Sequence, residues 1–438
     1  MAETRIVIAG GGFGGIYTAL ELQKIFKRES RVSITLLNHE NFFLFTPMLP
    51  ETGASSIATR HIVSPIRKLL RRSRFAEVSI DAIDLDRQIV SARHSLTGAA
   101  REFEYDHLVL SLGGVTNYFR IPGAELYSHP FKTLGDAIYV RNHTIDKLEE
   151  AAVEPERSDE LLTFVIVGGG LTGVEVAGAL NDFVREAAKF YPEIDRKRIR
   201  LMLIEAGPRL MPEMNEELAA FAKKVMIERG VDVRTNTAVT RIEKDSFELS
   251  TGERIPTATL IWAAGVSPNP IIARTGAPTD ERGRILVNEY LEVEGRENVW
   301  ALGDCARVPD RRTGKPHPPT AQHAVREAKR AARNIAARLG RGERRAFDYR
   351  TMGQLAIVGE RTGVADVMGH QFSGWVAWFL WRTYYLNRIP LLEKRVRVML
   401  DWTLDLFFER DLVQLAVSRN RQLVAESNPA ETRSAVRD

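Results

Sequence analysis

"RIVIAGGGFGGIYTALEL", residues 5–22, decides the fold. Arg5 to Ala9 is a short, apolar, β-branched run and reads as a buried strand. Gly10-x-Gly12-x-x-Gly15 follows, and then a helical pattern. In that order each glycine has a separate task. The first permits the tight turn, the second lets backbone approach a pyrophosphate, and the third lets the helix lie close on the strand. The helix N-terminus then offers free N–H groups and a partial positive charge to phosphate. Gly14 lies in the same turn and counts among the cofactor-binding residues.

"LLTFVIVGGGLTGVEVAGAL", residues 161–180, repeats the grammar. Thr163 to Val167 is the strand, Gly168-x-Gly170-x-x-Gly173 the turn, and Val174 onward the helix. Two such units predict an α/β protein with two Rossmann-like dinucleotide-binding domains. They would hold two dinucleotides face to face, a flavin and a nicotinamide. The acid expected at the end of each unit's second strand separates the two. In the second unit it is Glu205, whose carboxylate accepts from a ribose diol and repels a 2′-phosphate, favouring NAD over NADP. Its distance from the motif exceeds the usual ~20 residues, because "VREAAKFYPEIDRKR" (184–198) lengthens the helix and loop. In the first unit Asn38 holds that place, an acceptor without charge, with Glu40 as a substitute nearby.

The rest of the composition narrows the class. At 438 residues, with 44% apolar and 27% charged residues, the chain suits two or three globular domains. A net charge of +4 does not argue for nucleic acid. The one cysteine, Cys305, excludes an intrachain disulfide framework, a Cys-x-x-Cys pair and a multi-cysteine metal site. No His/Cys cluster has ligand spacing, so no metal is expected. The N-terminal residues read as a strand at once, without the basic region and long apolar stretch expected of a secretory signal. The uncharged stretch 367–381 is shorter than the ~20 residues of a span and holds His370, Gln371 and Ser373.

"FLFTPMLPE" (43–51), "TLIWAAGV" (259–266), "NVWALGDCA" (298–306) and "TAQHAVREA" (320–328) join the two fingerprints in order. Together they resemble the type II NADH dehydrogenases, single-chain NADH:quinone oxidoreductases that do not pump protons. The resemblance runs to about residue 415. It implies FAD and NADH, and it implies roles for particular residues. Gly303 and Asp304 are similar to a second flavin fingerprint, with Asp304 accepting from the ribityl chain; the alternative is an aspartate capping a helix start. Thr46 and Pro47 resemble the loop beside the isoalloxazine ring, Gly113 a strand-end glycine close to FAD, and Ala264 and Gly265 the matching turn beside NADH. Glu175 resembles a glutamate that positions NADH and relays protons; the alternative is a first-turn carboxylate complementing the helix dipole.

The family's quinone signature is A-Q-x-A-x-Q. Gln322 matches its first glutamine and is also counted with the flavin-binding residues, whereas Arg326 stands at the second. Four residues apart, the two share a helix face. Thr320 is positioned to cap that helix, Ala324, Ala328, Ala331 and Ile335 recur along it, and His323 reads as a packing residue. Arg326 can donate to a quinone carbonyl; the alternative is a surface arginine paired with an acid.

After the polar stretch 337–350 a further unit begins near Thr351. "GQLAIVGERTGVADV" reads as a hairpin. Trp375, Trp378 and Trp381 then fan over one side of a helix, and Leu392, Val396, Met399, Leu400, Leu404, Phe407 and Phe408 form an apolar stripe with Lys394, Arg395 and Arg397 at its start. The pattern alone leaves open core packing, a homodimer contact and a membrane surface; the quinone reading favours the membrane, through residues 370–412. The division expected is 1–120 and 295–345 for FAD, 121–294 for NAD, and 346–438 for a membrane-docking region with a polar, disordered tail. The expected enzyme sits on the cytoplasmic face of the membrane, moves hydride from NADH to flavin and passes two electrons to quinone. The competing readings are a soluble ferredoxin- or rubredoxin-type reductase or diaphorase, and an NADH-sensing flavoprotein acting through C-terminal dimerisation. Thiol-based relatives are disfavoured because Cys305 stands alone.

Overall fold

The computed structural model describes residues 3–414; the polar tail "AESNPAETRSAVRD" lies outside them. The strand Thr4–Ala9 lies near the middle of a seven-stranded sheet in the order Val299–Ala301, His107–Leu110, Thr4–Ala9, Val32–Asn38, Arg74–Asp84, Ile89–His94, Ala100–Glu104. The first five are parallel and the last two close the sheet as an antiparallel meander. A second, parallel sheet runs His129–Pro130, Thr259–Trp262, Thr163–Val167, Arg200–Ile204, Val231–Arg234. Both fingerprint strands are central and apolar along most of their length because helices or other layers cover both faces. The segment Val266–Pro268 pairs antiparallel with Gly114–Thr116 and ties the two sheets together.

Five helices position the site: α1 (Phe13–Ile25), α2 (Leu171–Ala187), α3 (Ala321–Arg338), α4 (Gly374–Arg388) and α5 (Leu392–Leu404). The first two start directly at Gly12 and Gly170. Chain that returns after the second sheet adds the edge strand Val299–Ala301 to the first sheet and lays α3 along α1. Thr320 caps α3 by accepting from the His323 N–H. Ala324, Ala328, Ala331 and Ile335 are buried on the inward face of α3.

The strands Gly353–Gly359, Thr362–Val367 and His370–Ser373 form an antiparallel meander that lies on α2. The approach is close. A Cβ on Gly178 of α2 would stand 2.5 Å from the Val358 carbonyl oxygen, and one on Gly363 would stand 2.9 Å from the Trp378 nitrogen of α4.

The aromatic helix divides its three tryptophans between an outer and an inner face, where the spacing had left core and surface both open. Trp375 is 60% exposed, but Trp378 and Trp381 are buried, at 9% and 1%. Three-residue steps advance the side chain by about 60° each, so two steps carry it from the outer face to the inner one. The stripe on α5 divides differently: Leu392, Val396, Met399, Leu400 and Leu404 are exposed with Phe407 and Phe408 beyond the helix, while Val398 and Trp402 are buried. The inner side of α5 is held to the first sheet's domain by His61 Nδ1 and Asp401 Oδ2 at 2.5 Å, and an exposed pair, Lys68 and Glu393 at 3.0 Å, joins them at the surface. No described helix is long and apolar enough to cross a membrane.

Because Gly178 faces backbone rather than a flexible side chain, Gly178→Ala is expected to destabilise the fold by about 1–3 kcal/mol. Chemical denaturation measures this, and an unmoved midpoint would contradict the close seat of the C-terminal sheet on α2.

Candidate active site

The two glycine turns have the same anatomy. Gly10 and Gly168 sit at φ of 106° and 109°, conformations that only glycine adopts readily. A Cβ at Gly15 would come within 1.8 Å of the Gly10 oxygen, and one at Gly173 within 1.7 Å of the Gly168 oxygen. The protein itself therefore requires the first and third glycines. Gly12 and Gly170 meet nothing within 4 Å; their open sides are where a pyrophosphate can approach. Asn38 Oδ1 accepts from Gly11 N–H at 2.9 Å, and Glu205 Oε2 accepts from Gly169 N–H at 2.6 Å. The two residues thus occupy equivalent places, each bracing the middle of its own loop. Glu205 Oε1 accepts in addition from Gly207 N–H at 2.5 Å.

Between the two units lies a cavity of about 480 Å³. Gly12, Gly14, Thr46, Pro47, Gly113, Gly303 and Asp304 line it from the first unit, and Thr172, Glu175 and Gly265 from the second. Gly10, Gly15, Gly168 and Gly173 lie behind these as the turns' framework, and Ala264 backs Gly168, whose Cβ would stand 2.8 Å from the Ala264 Cα. Gly113, at φ 62°, has nothing within 4 Å. Asp304 caps no helix: it sits within the short turn Gly303–Cys305, with Lys132 Nζ at 4.0 Å. Burial raises the Asp304 pKa against the pull of Lys132. Behind it Glu327 Oε2 accepts from Gly303 N–H at 2.8 Å, and burial pushes that carboxyl up to about 7. Open glycine backbone with an aimed carboxylate is a donor and acceptor set that can hold a flavin dinucleotide. Cys305 is wholly buried and its thiol is pushed up to about 12, which makes it unreactive.

Glu175 is not a first-turn carboxylate, since α2 begins at Leu171. Its Oε1 accepts from Ile357 N–H at 3.2 Å and from Trp381 Nε1 at 3.0 Å. Burial pushes its pKa up to about 8, against the pull of those two donors, so it is largely protonated at pH 7. Both partners belong to the C-terminal module.

A second cavity, of about 180 Å³, adjoins the first. Phe13, Pro47, Leu171, Ala321, Leu355 and Tyr385 line both. Gln322 and Arg326 line only the second. Gln322 is pinned: Oε1 accepts from Tyr349 OH and from Met352 N–H at 3.1 Å, and Nε2 donates to the Gly353 oxygen at 3.3 Å. Arg326 pairs with no carboxylate among the described ion pairs. It donates to the Gln322 carbonyl at 2.8 Å, and its guanidinium lies 4.3 Å from the Tyr349 ring centre. His323 is buried, with Nδ1 2.8 Å from Thr320 Oγ1 and its pKa pushed down to about 4. Sequence reading missed Tyr349, which sits in an apparent linker, and the part of Trp381 in the site, since its spacing left core and surface both open. Neither carries a local signal, because each is recruited by chain distant in sequence.

Residues 4–328 match the family model described as pyridine nucleotide-disulphide oxidoreductase, and residues 352–411 match the NDH2 C-terminal domain. The type II NADH:quinone oxidoreductase Ndh of Mycobacterium tuberculosis is 30% identical over 91% of this chain and 87% of its own. The demethylphylloquinone reductase NdbB of Synechocystis is 33% identical over 92% and 96%. A solved structure of NDH2 from Plasmodium falciparum in complex with NADH has the same fold, with a TM-score of 0.88 and 22% identity over 94% of this chain and all of that one.

Between the ordinary carboxyl value of 4.5 and about 8, folded protein keeps on Glu175 a proton that the unfolded chain has lost. Stability from this group is therefore full below pH 4.5 and is lost as pH rises toward 8. Glu175→Gln keeps an acceptor for Trp381 without the ionisation. Its unfolding midpoint relative to wild type is expected to rise between pH 5 and pH 9, and parallel pH curves would refute the buried, protonated carboxyl.

Proposed function

The chain belongs to the type II NADH:quinone oxidoreductases, within the pyridine nucleotide-disulphide oxidoreductase family, and we infer from that membership that it oxidises NADH and reduces a membrane quinone through FAD without pumping protons. The observation that carries the reading is the wall of six residues common to the two cavities, which sets an acceptor beside Gln322 and Arg326 against the cavity of the nucleotide turns. A soluble iron–sulfur partner has no need of an aromatic-lined pocket beside the nucleotide cavity.

In this reading Gly10, Gly12, Gly14, Gly15, Asn38, Thr46, Pro47, Gly113, Gly303 and Asp304 hold FAD. Gly168, Gly170, Gly173, Glu205, Ala264 and Gly265 hold NADH. Residues 1–120 and 295–345 form the FAD domain, 121–294 the NAD domain and 346–438 the docking region. When bound, the flavin supplies the two-electron chemistry, taking hydride from NADH and returning the electrons to quinone. The protein's own groups do the rest. Glu205 selects the unphosphorylated ribose by its charge. Glu175 holds a proton at the cavity edge. Gln322 has its amide oxygen and one amide N–H committed to residues 349–353, and we assign donation to a quinone carbonyl to Arg326, steadied on Tyr349. The exposed apolar faces of α4 and α5 with Phe407 and Phe408 rest on the bilayer and make the enzyme a peripheral membrane protein. We place it on the cytoplasmic face, where NADH is.

Anaerobic NADH is expected to bleach the flavin of the purified holoenzyme, and a short-chain quinone to restore its colour. Flavin that fails to bleach contradicts the dehydrogenase; bleached flavin that quinone leaves reduced contradicts the acceptor. Doubly substituted Leu400→Glu, Phe408→Glu holoenzyme is expected to stay behind when wild-type protein floats with phospholipid vesicles, and equal flotation would remove the docking assignment.

A further inference from the structure

Resting on that reading, the reaction has an unmet requirement. Written in full it is NADH + H⁺ + Q → NAD⁺ + QH₂. Hydride brings two electrons and one hydrogen, so the second hydrogen of the quinol must arrive as a proton from solvent. The cavity of the nucleotides and the quinone pocket are occupied by reactants during turnover, so the proton needs another way in.

Glu51 stands on such a way. It follows the Thr46–Pro47 loop, in the short helix Leu49–Gly53 whose residues Leu49 and Pro50 line the nucleotide cavity. Its side chain turns to the opposite side and lines a separate cavity of about 620 Å³ with Ile357, Trp378, Arg382, Asp405 and Arg410. One carboxyl oxygen, Oε1, accepts from Trp402 Nε1 at 3.1 Å and lies 3.9 Å from the Arg382 guanidinium. The other, Oε2, is buried with no hydrogen-bond partner. A carboxyl kept only to seat Trp402 has no use for that second oxygen.

The partition between this cavity and Glu175 is thin. Ile357 lines the outer cavity while its N–H donates to Glu175. Trp402 and Trp381, the indoles that serve Glu51 and Glu175 respectively, have ring centres 6.4 Å apart. The two carboxyls also sense each other: Glu51 raises Glu175. Burial pushes Glu51 up to about 7, with Arg382 and Arg410 pulling it down and Asp405 pushing it up.

We propose that Glu51 is the proton entry of this enzyme: it takes a proton from the outer cavity, hands it through water to Glu175 and so, across the nucleotide cavity and the wall it shares with the quinone pocket, to the quinone being reduced, and is reprotonated from solvent. Glu51 lines neither the nucleotide cavity nor the quinone pocket and acts through Glu175. Its pKa near 7 lets it both accept and release a proton at working pH.

Stopped-flow spectroscopy of Glu51→Gln holoenzyme separates the two half-reactions. Bleaching by NADH is expected at the wild-type rate. Reoxidation by a short-chain quinone is expected to slow at least tenfold and to lose the wild-type fall in rate above pH 7, and Glu51→Asp is expected to recover part of both. A variant that matches wild type in rate and pH profile overturns the proposal. So does one whose bleaching, flavin content and unfolding temperature decline together, since Glu51 is then an anchor for Trp402 alone. If quinone fails to reoxidise wild-type protein as well, the quinone reading itself falls, which distinguishes the two failures.

Discussion

The carboxyl of Glu175 joins parts that would otherwise be independent. It stands on the helix of the second fingerprint, yet its donors are Ile357 N–H and Trp381 Nε1, which lie 182 and 206 residues later in the C-terminal module. A carboxyl withdrawn from water without partners is costly, so the C-terminal sheet and α4 must be seated before Glu175 can be half-buried at low cost. Gly178 permits the seat by letting the Val358 carbonyl come close. Membrane docking and the catalytic cavity thus depend on one helix, α2.

That dependence explains the split use of the aromatic helix. Trp378 and Trp381 face inward, where one indole serves Glu175 and the other lies 4.1 Å from the Arg382 guanidinium, while Trp375, Val376 and Phe379 face outward. The same helix is wall to the site and floor to the bilayer. Tyr384, Tyr385 and Arg388 of α4 also line the pocket of Gln322 and Arg326, so the helix with the exposed apolar face is itself part of that pocket's wall.

Much of the fold was legible because its signals are local. A strand, a turn with glycine at positions one and three, and a helix lie within about 20 residues, and the steric reasons act within the same loop: Gly15 against the Gly10 oxygen, Gly173 against the Gly168 oxygen. The cap at Thr320 and the hairpin at residues 353–367 are local in the same way. The facing of the aromatic stretch stayed open in the sequence because helical spacing states which residues share a face, not which face meets protein. Glu175 was picked out by resemblance, but the reading of it as a helix-dipole partner failed on where α2 begins.

Sequence by itself determined the two nucleotide units, their order, the carboxylate of Glu205 and the substitution of arginine at position 326, because each is written in neighbouring residues and backbone sterics. Tertiary structure decided what those residues do. It committed the Gln322 amide to Tyr349, Met352 and Gly353, laid Arg326 on Tyr349, buried Trp381 against Glu175, and left Glu51 between two cavities with an unpartnered oxygen. Those outcomes rest on burial and on contacts between segments up to about 350 residues apart, as for Glu51 and Trp402, and burial sets pKa values and hydrogen-bond availability only once the chain has closed on itself.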